Sequence, residues 1–275
     1  MKNLIAFFLC LLLFCGASSA TCQSASAASA SPQIAATANL QLTPVKELRK
    51  GVEAWPLIVN PATPAEQRVN ATLTRLNLRL TQALRECDAG AREEAKLMGA
   101  AVKGQDPTSE DWSRTIKVTM TGPRLLSLVA TDEIYCGGAH PNSDVMAMVF
   151  DMTTGTPVNW PAQFPQSAGA SSIVDSVGDG SKVGALVLPA LLKIYAAAAT
   201  SECKDAFQNT QSFLLWPDAQ HGTLVAQAFD LPHAAQDCAD ELDVTIEQAR
   251  KLGFDESVLI AIEQAHRQMV ANPKR

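Results

Sequence analysis

The chain has 275 residues, a formal net charge of −6 and a hydrophobic fraction of 47%. This length is enough for one large or two small domains with an apolar core. No run of basic residues occurs in the mildly acidic chain, so we expect no nucleic-acid partner.

The first segment has the features of an export signal. Lys2 precedes an apolar run over residues 4–14, and small residues ending at Ala20 fit a signal-peptidase site. The run is about 11 residues long, whereas a membrane-spanning helix needs about 20. We therefore expect residues 1–20 to be a signal peptide, and the mature protein to be periplasmic or secreted.

Residues 21–37 are rich in Ala and Ser and carry no charge, which predicts a flexible tether. Cys22 offers an alternative to simple cleavage, because a lipoprotein signal also ends at a cysteine. Ser19 and Thr21, however, match poorly the residues that such a signal prefers. Lipidation at Cys22 would make the protein surface-tethered, and it is the one membrane contact that the sequence predicts.

Four further cysteines follow in the part of the chain expected to fold. In an exported protein they are expected to form disulfides, and four cysteines allow three pairings. We favour Cys87–Cys136 with Cys203–Cys238, because this pairing keeps each bridge within one half of the chain.

The first half predicts short strands, a helix and a β-meander. The strands fall at "LQLTPV" and "EAWPLIV". The helix has Thr63 as its N-cap, Glu66 completing a capping box, and a stripe of apolar residues that ends near Cys87. A polar, helical segment is expected over 90–111. The meander is indicated by period-two alternation and by short turns, with strands at 115–120 (Ile116, Val118 and Met120 on one face), 125–135 and 143–152.

The second half predicts a surface loop followed by mixed elements. The loop covers 162–182, which is rich in Ser, Gly and Ala. A buried helix is expected at 188–199, and Thr245 and Gln248 form a capping box for a helix that ends at Gly253. Strands are predicted at 211–216, 222–228 and "LDVTI", and a last helix at 255–270. The sum is an α+β fold, an antiparallel meander with packed helices, in two small subdomains: 38–160 and 161–275.

The motif "YCGGAH" (residues 135–140) combines a cysteine, two glycines and a histidine. A Cys/His nucleophile pair is one interpretation, but an exported Cys136 is expected in a disulfide. The four histidines lack metal-ligand spacing, so no metal and no cofactor are expected. Consecutive glycines at a strand end permit positive φ, which favours a corner between two strands. His140 is a candidate residue for contacting a ligand at this corner.

The stretch "LLSLVATDEIYCGGAHPNSDVMAMVFDMTTGTPV" resembles the signature of a family of extracytoplasmic bacterial domains of unknown function. The family occurs in a lysozyme-sensing anti-sigma factor and beside some peptidoglycan deacetylase domains. Its pattern is an apolar strand, Tyr-x-Gly-Gly-Ala-His, a second strand ending in Phe-Asp, and then Thr-Gly. The matching positions here are Tyr135, Gly137, Gly138, Ala139, His140, Phe150, Asp151, Thr154 and Gly155. The flanking segments match more weakly, so that the resemblance covers roughly residues 38–252.

The resemblance implies a binding or sensing module rather than an enzyme, with a lysozyme-like protein or peptidoglycan as the ligand. Tyr135 and His140 are the candidate contacts in the motif. The closing loop has Phe229, Leu231 and His233 where relatives carry a tyrosine and an alanine-rich turn. Four motif residues are expected to be structural: Gly137, Gly138, Asp151 and Gly155. No deacetylase or sigma-binding segment accompanies the motif.

Acidic residues are numerous in one C-terminal segment: Asp230, Asp237, Asp240, Glu241 and Asp243. A solvated acidic face explains them most simply. The alternative is an envelope hydrolase that acts on cell-wall glycan, because the separation of two catalytic carboxylates depends on the fold.

Overall fold

The structure, a computed structural model, describes residues 40–97, 112–122, 124–137, 141–176, 182–208 and 212–271. These residues belong to one compact unit, Ile34–Arg275, in which helices pack on two β-sheets. The predicted α+β class is confirmed. Several predictions lie outside the described residues: the signal peptide, the tether with Cys22, residues 98–111 of the predicted helical segment, and Gly138, Ala139 and His140 of the motif.

The long helix α1 spans Pro64–Leu97. Its capping box is present, since Glu66 N donates to Thr63 Oγ1 at 3.1 Å and Thr63 N donates to Glu66 at 3.2 Å. The helix continues ten residues past its predicted end at Cys87. Cys87 and Ala91 are both buried and extend the apolar stripe, which explains the extension.

The first sheet has six strands in sequence order, β1 to β6. All neighbours are antiparallel except β2 and β3, which are parallel. The three central strands form the predicted meander. The bounds are β1 Glu47–Arg49, β2 Val52–Glu53, β3 Trp112–Thr121, β4 Leu125–Ile134, β5 Asn142–Asp151 and β6 Thr156–Pro157.

Strand β3 departs from the predicted alternation near its end. Its pairing with β4 shifts register between Val118 and Met120, so Val118 is 40% exposed while Thr119 and Met120 are both buried. Such a bulge places two residues of one strand opposite a single residue of its partner, so the side chains before the bulge alternate in the opposite phase to those after it. Thr119 O accepts a hydrogen bond from Ala219 N at 2.9 Å in the second sheet. The prediction that Val118 faces the core is therefore wrong.

The second sheet has five antiparallel strands in the order β11-β10-β9-β8-β7. The predicted loop 162–182 is wrong over its second half, because that segment contains β7. Ile173 and Val174 of this strand are exposed, so cross-strand pairing with β8 rather than burial stabilises it. The bounds are β7 Ser171–Ser176, β8 Lys182–Val187, β9 Ser212–Asp218, β10 Thr223–Ala228 and β11 Leu242–Thr245.

One hydrophobic core extends across both sheets. It joins Phe150 of the first sheet to Trp216 of the second and to Leu259 of the last helix. A smaller cluster packs Leu80 and Leu84 of α1 against the first sheet. The described part of the chain contains three further α-helices: α2 Pro189–Ala198, α3 Ile246–Lys251 with its predicted capping box, and α4 Glu256–Ala271.

Two disulfides tie the elements together. The structure joins Cys87 to Cys136 and Cys203 to Cys238, with Cα–Cα distances of 4.6 and 5.5 Å. The favoured pairing is thus confirmed. Disulfides of this kind are compatible with an extracellular or periplasmic domain. Among the described residues, no helix has the length and apolarity required to cross a membrane.

Candidate functional site

A pocket lies where the first residues of β5 meet the segment that follows β10. Its volume is about 140 Å³. Strand β5 contributes Ser143, Asp144 and Val145, and β9 contributes Leu214. The remaining lining comes from the end of β10 and from the segment after it, which we call the closing segment (residues 229–241): Gln227, Ala228, Phe229, Leu231, Gln236 and Ala239.

The closing segment is held at several points. The Phe229 N–H donates to Ser212 O at 3.0 Å, and Gln227 Nε2 donates to Ala239 O at 2.7 Å. Leu231 is buried in the main core. The Cys203–Cys238 disulfide fixes the end of the short 3-10 helix within the segment. These contacts give the pocket a preformed wall.

Gln227 is unusual among the lining residues. Its Nε2 is bonded to Ala239 O, but its Oε1 is buried and has no hydrogen-bond partner among the described residues. A buried acceptor without a partner is costly, so native structures rarely keep one. The wall of the pocket therefore contains an unmet acceptor that a donor group can satisfy.

The structure brings together two of the predicted ligand residues. Phe229 and Leu231 line the same pocket. His233 begins the 3-10 helix of the closing segment, but its side chain lies outside what the structure describes. Tyr135 is half-buried beside Cys136 and is not part of this lining. His140 falls outside the described residues, and Ser143 is the nearest lining residue in sequence.

Sequence reasoning missed Asp144, Gln227 and Gln236. Asp144 lies four residues after His140 in "HPNSD", so its closeness in sequence to a candidate contact was the available signal. The two glutamines lie in separate elements and carry no such signal. Only the fold, which brings β5 beside the closing segment, assembles these residues into one lining.

The described part of the glycine motif forms a packed corner. Gly137 has φ of +93°, and a Cβ at this position would lie 2.1 Å from Glu94 Oε2. The neighbouring Cys136 is bonded to Cys87 of α1, and a Cβ on Gly90 would lie 3.1 Å from Cys136 O. The described corner therefore presses closely against α1, which accounts for glycine at 137 and 90.

Asp151 and Gly155 shape the turn after β5. Asp151 Oδ1 accepts a hydrogen bond from Thr153 N at 2.8 Å, and its other oxygen lies 3.6 Å from Arg124. Gly155 has φ of +72°, and a Cβ there would lie 2.1 Å from Ala65 O in α1. Asp151 therefore fixes the turn itself, and Gly155 allows α1 to approach it closely.

A larger cavity, about 400 Å³, is lined by both cysteines of the second disulfide. Tyr195 and Phe207 form an apolar wall, and Asp240 and Glu241 also line it. The Tyr195 hydroxyl donates to Asp240 O, and it accepts from Ala228 N at 3.4 Å. Burial raises the pKa of Tyr195 to about 12, so this hydroxyl stays protonated and acts as a structural donor.

Charge is distributed unevenly along the chain. Segments 125–181 and 205–249 contain no Lys or Arg, yet they hold 14 of the 28 acidic residues. They also supply every described residue that lines the 140 Å³ pocket. Near it, Asp237 and Asp240 are exposed and Asp144 and Asp230 are half-buried. The described lining thus comes from segments whose charged side chains are all acidic, and charge of this sign attracts cationic groups.

The described residues contain no group of three or more His, Cys, Asp or Glu side chains that could hold a metal ion.

The chain matches no family model and no curated protein. Among solved structures, a member of the DUF3298 family from Bacteroides fragilis is similar, with a TM-score of 0.48 and 11% sequence identity. The alignment covers 82% of this chain and 96% of that chain. The anti-sigma-factor setting expected from the motif stays a prediction.

Proposed function

We propose that this chain is a non-catalytic binding or sensing module of the cell envelope, periplasmic or surface-tethered. Its ligand is a basic protein, such as a lysozyme-like enzyme, that inserts a lysine or arginine side chain into the 140 Å³ pocket. The observation that carries this proposal is the preformed pocket between β5 and the closing segment, with an unmet acceptor in its wall.

The size of the pocket favours a protein ligand over a glycan. Sites for small molecules usually measure about 300–1,000 Å³. A volume of about 140 Å³ suits a single side chain. Deep pockets that receive one anchor side chain, often arginine, are typical energetic centres of protein interfaces. Peptidoglycan, the other ligand implied by the sequence resemblance, would need a longer groove.

The charge of the lining favours a basic anchor. Asp144 contributes a carboxylate to the pocket, and none of the described lining residues is basic. Gln227 Oε1 adds a buried acceptor, whereas lysine and arginine side chains are donors only. Leu214 and Leu231 add apolar surface to the lining, which suits the methylene stem of either side chain.

Calorimetric titration tests this proposal. Lysozyme should bind, and lysozyme with acetylated lysines should bind more weakly. Asp144→Asn should weaken binding about tenfold or more, because it removes one partner of a desolvated charge pair. Glu86→Gln, an exposed acid on α1, is the matched control and should change little. Equal losses in the two variants, or no binding to lysozyme, would contradict the proposal.

The envelope-hydrolase alternative is supported by Asp240 and Glu241, which line the 400 Å³ cavity together. It predicts that the purified protein releases fragments from peptidoglycan, and that Glu241→Gln abolishes this release. Our proposal predicts no turnover in either protein. The same preparations serve both assays, so the two functions can be distinguished directly.

A further inference from the structure

The exposed face of α1 is strongly basic, in contrast to the rest of the chain. Along this helix, residues at spacings of three and four are exposed on the side away from the core. Only two exposed acids, Glu86 and Glu93, lie among them. Six exposed cations lie on the helix: Arg68, Arg75, Arg79, Arg85, Arg92 and Lys96.

The other acids of α1 are directed to internal contacts. Glu66 caps the helix N-terminus. Asp88 pairs with Arg49 at 2.7 Å. Glu94 is half-buried against the Gly137 corner. Some cations also make contacts within the chain, since Arg68 Nε donates to Thr154 O at 2.6 Å and Lys96 pairs with Glu93 at 3.1 Å. Exposed cations still outnumber exposed acids on α1, although the helix as a whole is almost neutral.

Leucines interrupt this basic face. Leu78 is 66% exposed, and Leu97 at the end of the helix is 81% exposed. Leu78 lies between Arg75 and Arg79 in sequence, and it is not among the residues that pack against either hydrophobic cluster. A helix that combines exposed cations with exposed apolar side chains suits the headgroup layer of a membrane, because the cations meet phosphates while the apolar groups insert.

We infer that the outer face of α1 is a docking surface for an anionic phospholipid membrane. A 34-residue helix is about 51 Å long, so the exposed cations between Arg68 and Lys96 are spread over about 42 Å. The attraction comes from charge complementarity, and Leu78 adds an apolar contact. Sequence reasoning predicted a membrane contact only through Cys22, and this surface needs no lipid on the chain.

The docking surface is independent of the ligand pocket. None of the residues that line the pocket lies in α1. A protein that fails to bind lysozyme can still bind lipid, and the reverse also holds. The two proposals therefore fail separately.

Vesicle sedimentation tests the inference with the chain from residue 21 onward, which retains the whole compact unit. The vesicles contain phosphatidylcholine alone or with about 30% phosphatidylglycerol, at about 50 mM salt, where screening is weak. We expect binding to the anionic vesicles only, and we expect it to weaken at about 300 mM salt.

Three variants separate the contributions. Neutralising one cation near a membrane lowers the partition coefficient about fivefold, so Arg75→Gln/Arg85→Gln/Arg92→Gln should lower it roughly 100-fold. Leu78→Ala should lower it severalfold at both salt concentrations. The matched control, Lys193→Gln/Lys204→Gln/Lys251→Gln, changes net charge equally at exposed sites outside α1 and should leave binding within about twofold.

Circular dichroism should show unchanged helix content in all variants, because glutamine is as good a helix former as arginine. Equal binding to both vesicle types would overturn the inference. Equal losses in the arginine triple variant and the lysine control would also overturn it. A third outcome would also overturn it: soluble polyphosphate binds as tightly as the vesicles, and Leu78→Ala does not change vesicle binding. The face of α1 would then recognise polyanions in general.

Discussion

The two disulfides offer a matched pair of perturbations. Each can be removed by replacing both cysteines with alanine: Cys203 with Cys238, or Cys87 with Cys136. Their sequence separations are 35 and 49 residues. In the chain-entropy model, loops of these lengths each stabilise the native state by about 4 kcal/mol. Global stability should therefore fall by similar amounts in the two variants.

The local consequences should differ. The Cys203–Cys238 bridge fixes the closing segment, whereas the Cys87–Cys136 bridge fixes the corner after β4 to α1. Without the first bridge, the segment keeps the Phe229–Ser212 and Gln227–Ala239 hydrogen bonds but loses its covalent link. We expect amide exchange over 233–239 to accelerate about tenfold or more in that variant alone.

Urea unfolding measures the change in global stability, and hydrogen exchange with mass spectrometry measures the local opening of the closing segment. Exchange rates should be compared under conditions where both variants are fully folded. If removal of Cys87–Cys136 accelerates exchange over 233–239 as much as removal of Cys203–Cys238, the second bridge does not hold the pocket wall and our account of the site is wrong.

Three further predictions concern the stability of the fold. Asp132→Ala should lower the free energy of unfolding in urea by about 3–5 kcal/mol, because Asp132 is buried at 2.8 Å from Arg114 and the arginine would stay buried without this partner. The double variant Arg114→Met/Asp132→Leu should lower this free energy less. The reverse order would refute this reasoning. Gly155→Ala should destabilise the protein by roughly 2–4 kcal/mol, because the alanine would have positive φ and would clash with α1. Gly169 also has positive φ but lies in open space, so Gly169→Ala should cost only about 1 kcal/mol. Equal costs would contradict the close approach of Gly155 to α1. Burial raises the pKa of Asp218, but hydrogen bonds from His221 and Gln220 and the charge of Lys117 outweigh it and hold this pKa below its usual value. The stabilising contribution of the Asp218 carboxylate should be complete above a pH of about 4 and lost as the pH falls further. The difference in free energy of unfolding between wild type and Asp218→Asn should therefore shrink in acid. A difference that stays constant with pH would exclude a stabilising role of the charged carboxylate.

Much of the fold could be predicted because its signals are local. The capping box at Thr63 and the apolar stripe identify the start and the buried face of α1. Alternation and short turns identify the meander. The disulfide pairing followed from the division of the chain into halves, and the two sheets lie in those halves while sharing one core.

The misses depend on contacts between distant residues. Strand β7 has a loop-like composition, and only its pairing with β8 makes it a strand. Val118 fits a buried pattern, but the bulge in β3 turns it outward. In the site, the family resemblance predicts Phe229 and Leu231 as ligand contacts; both line the pocket, and the contact itself stays a prediction. Asp144 and Gln227 are about 80 residues apart in sequence, so their meeting is a property of the folded chain.

The most direct test of the central claim is a hydrogen-exchange footprint of the protein saturated with lysozyme. The account predicts slower exchange over 142–145 and 227–239, the two segments that form the pocket, with smaller changes elsewhere. Protection confined to other parts of the chain, or unchanged exchange over both segments at saturating lysozyme, would contradict the assignment of this pocket as the ligand site.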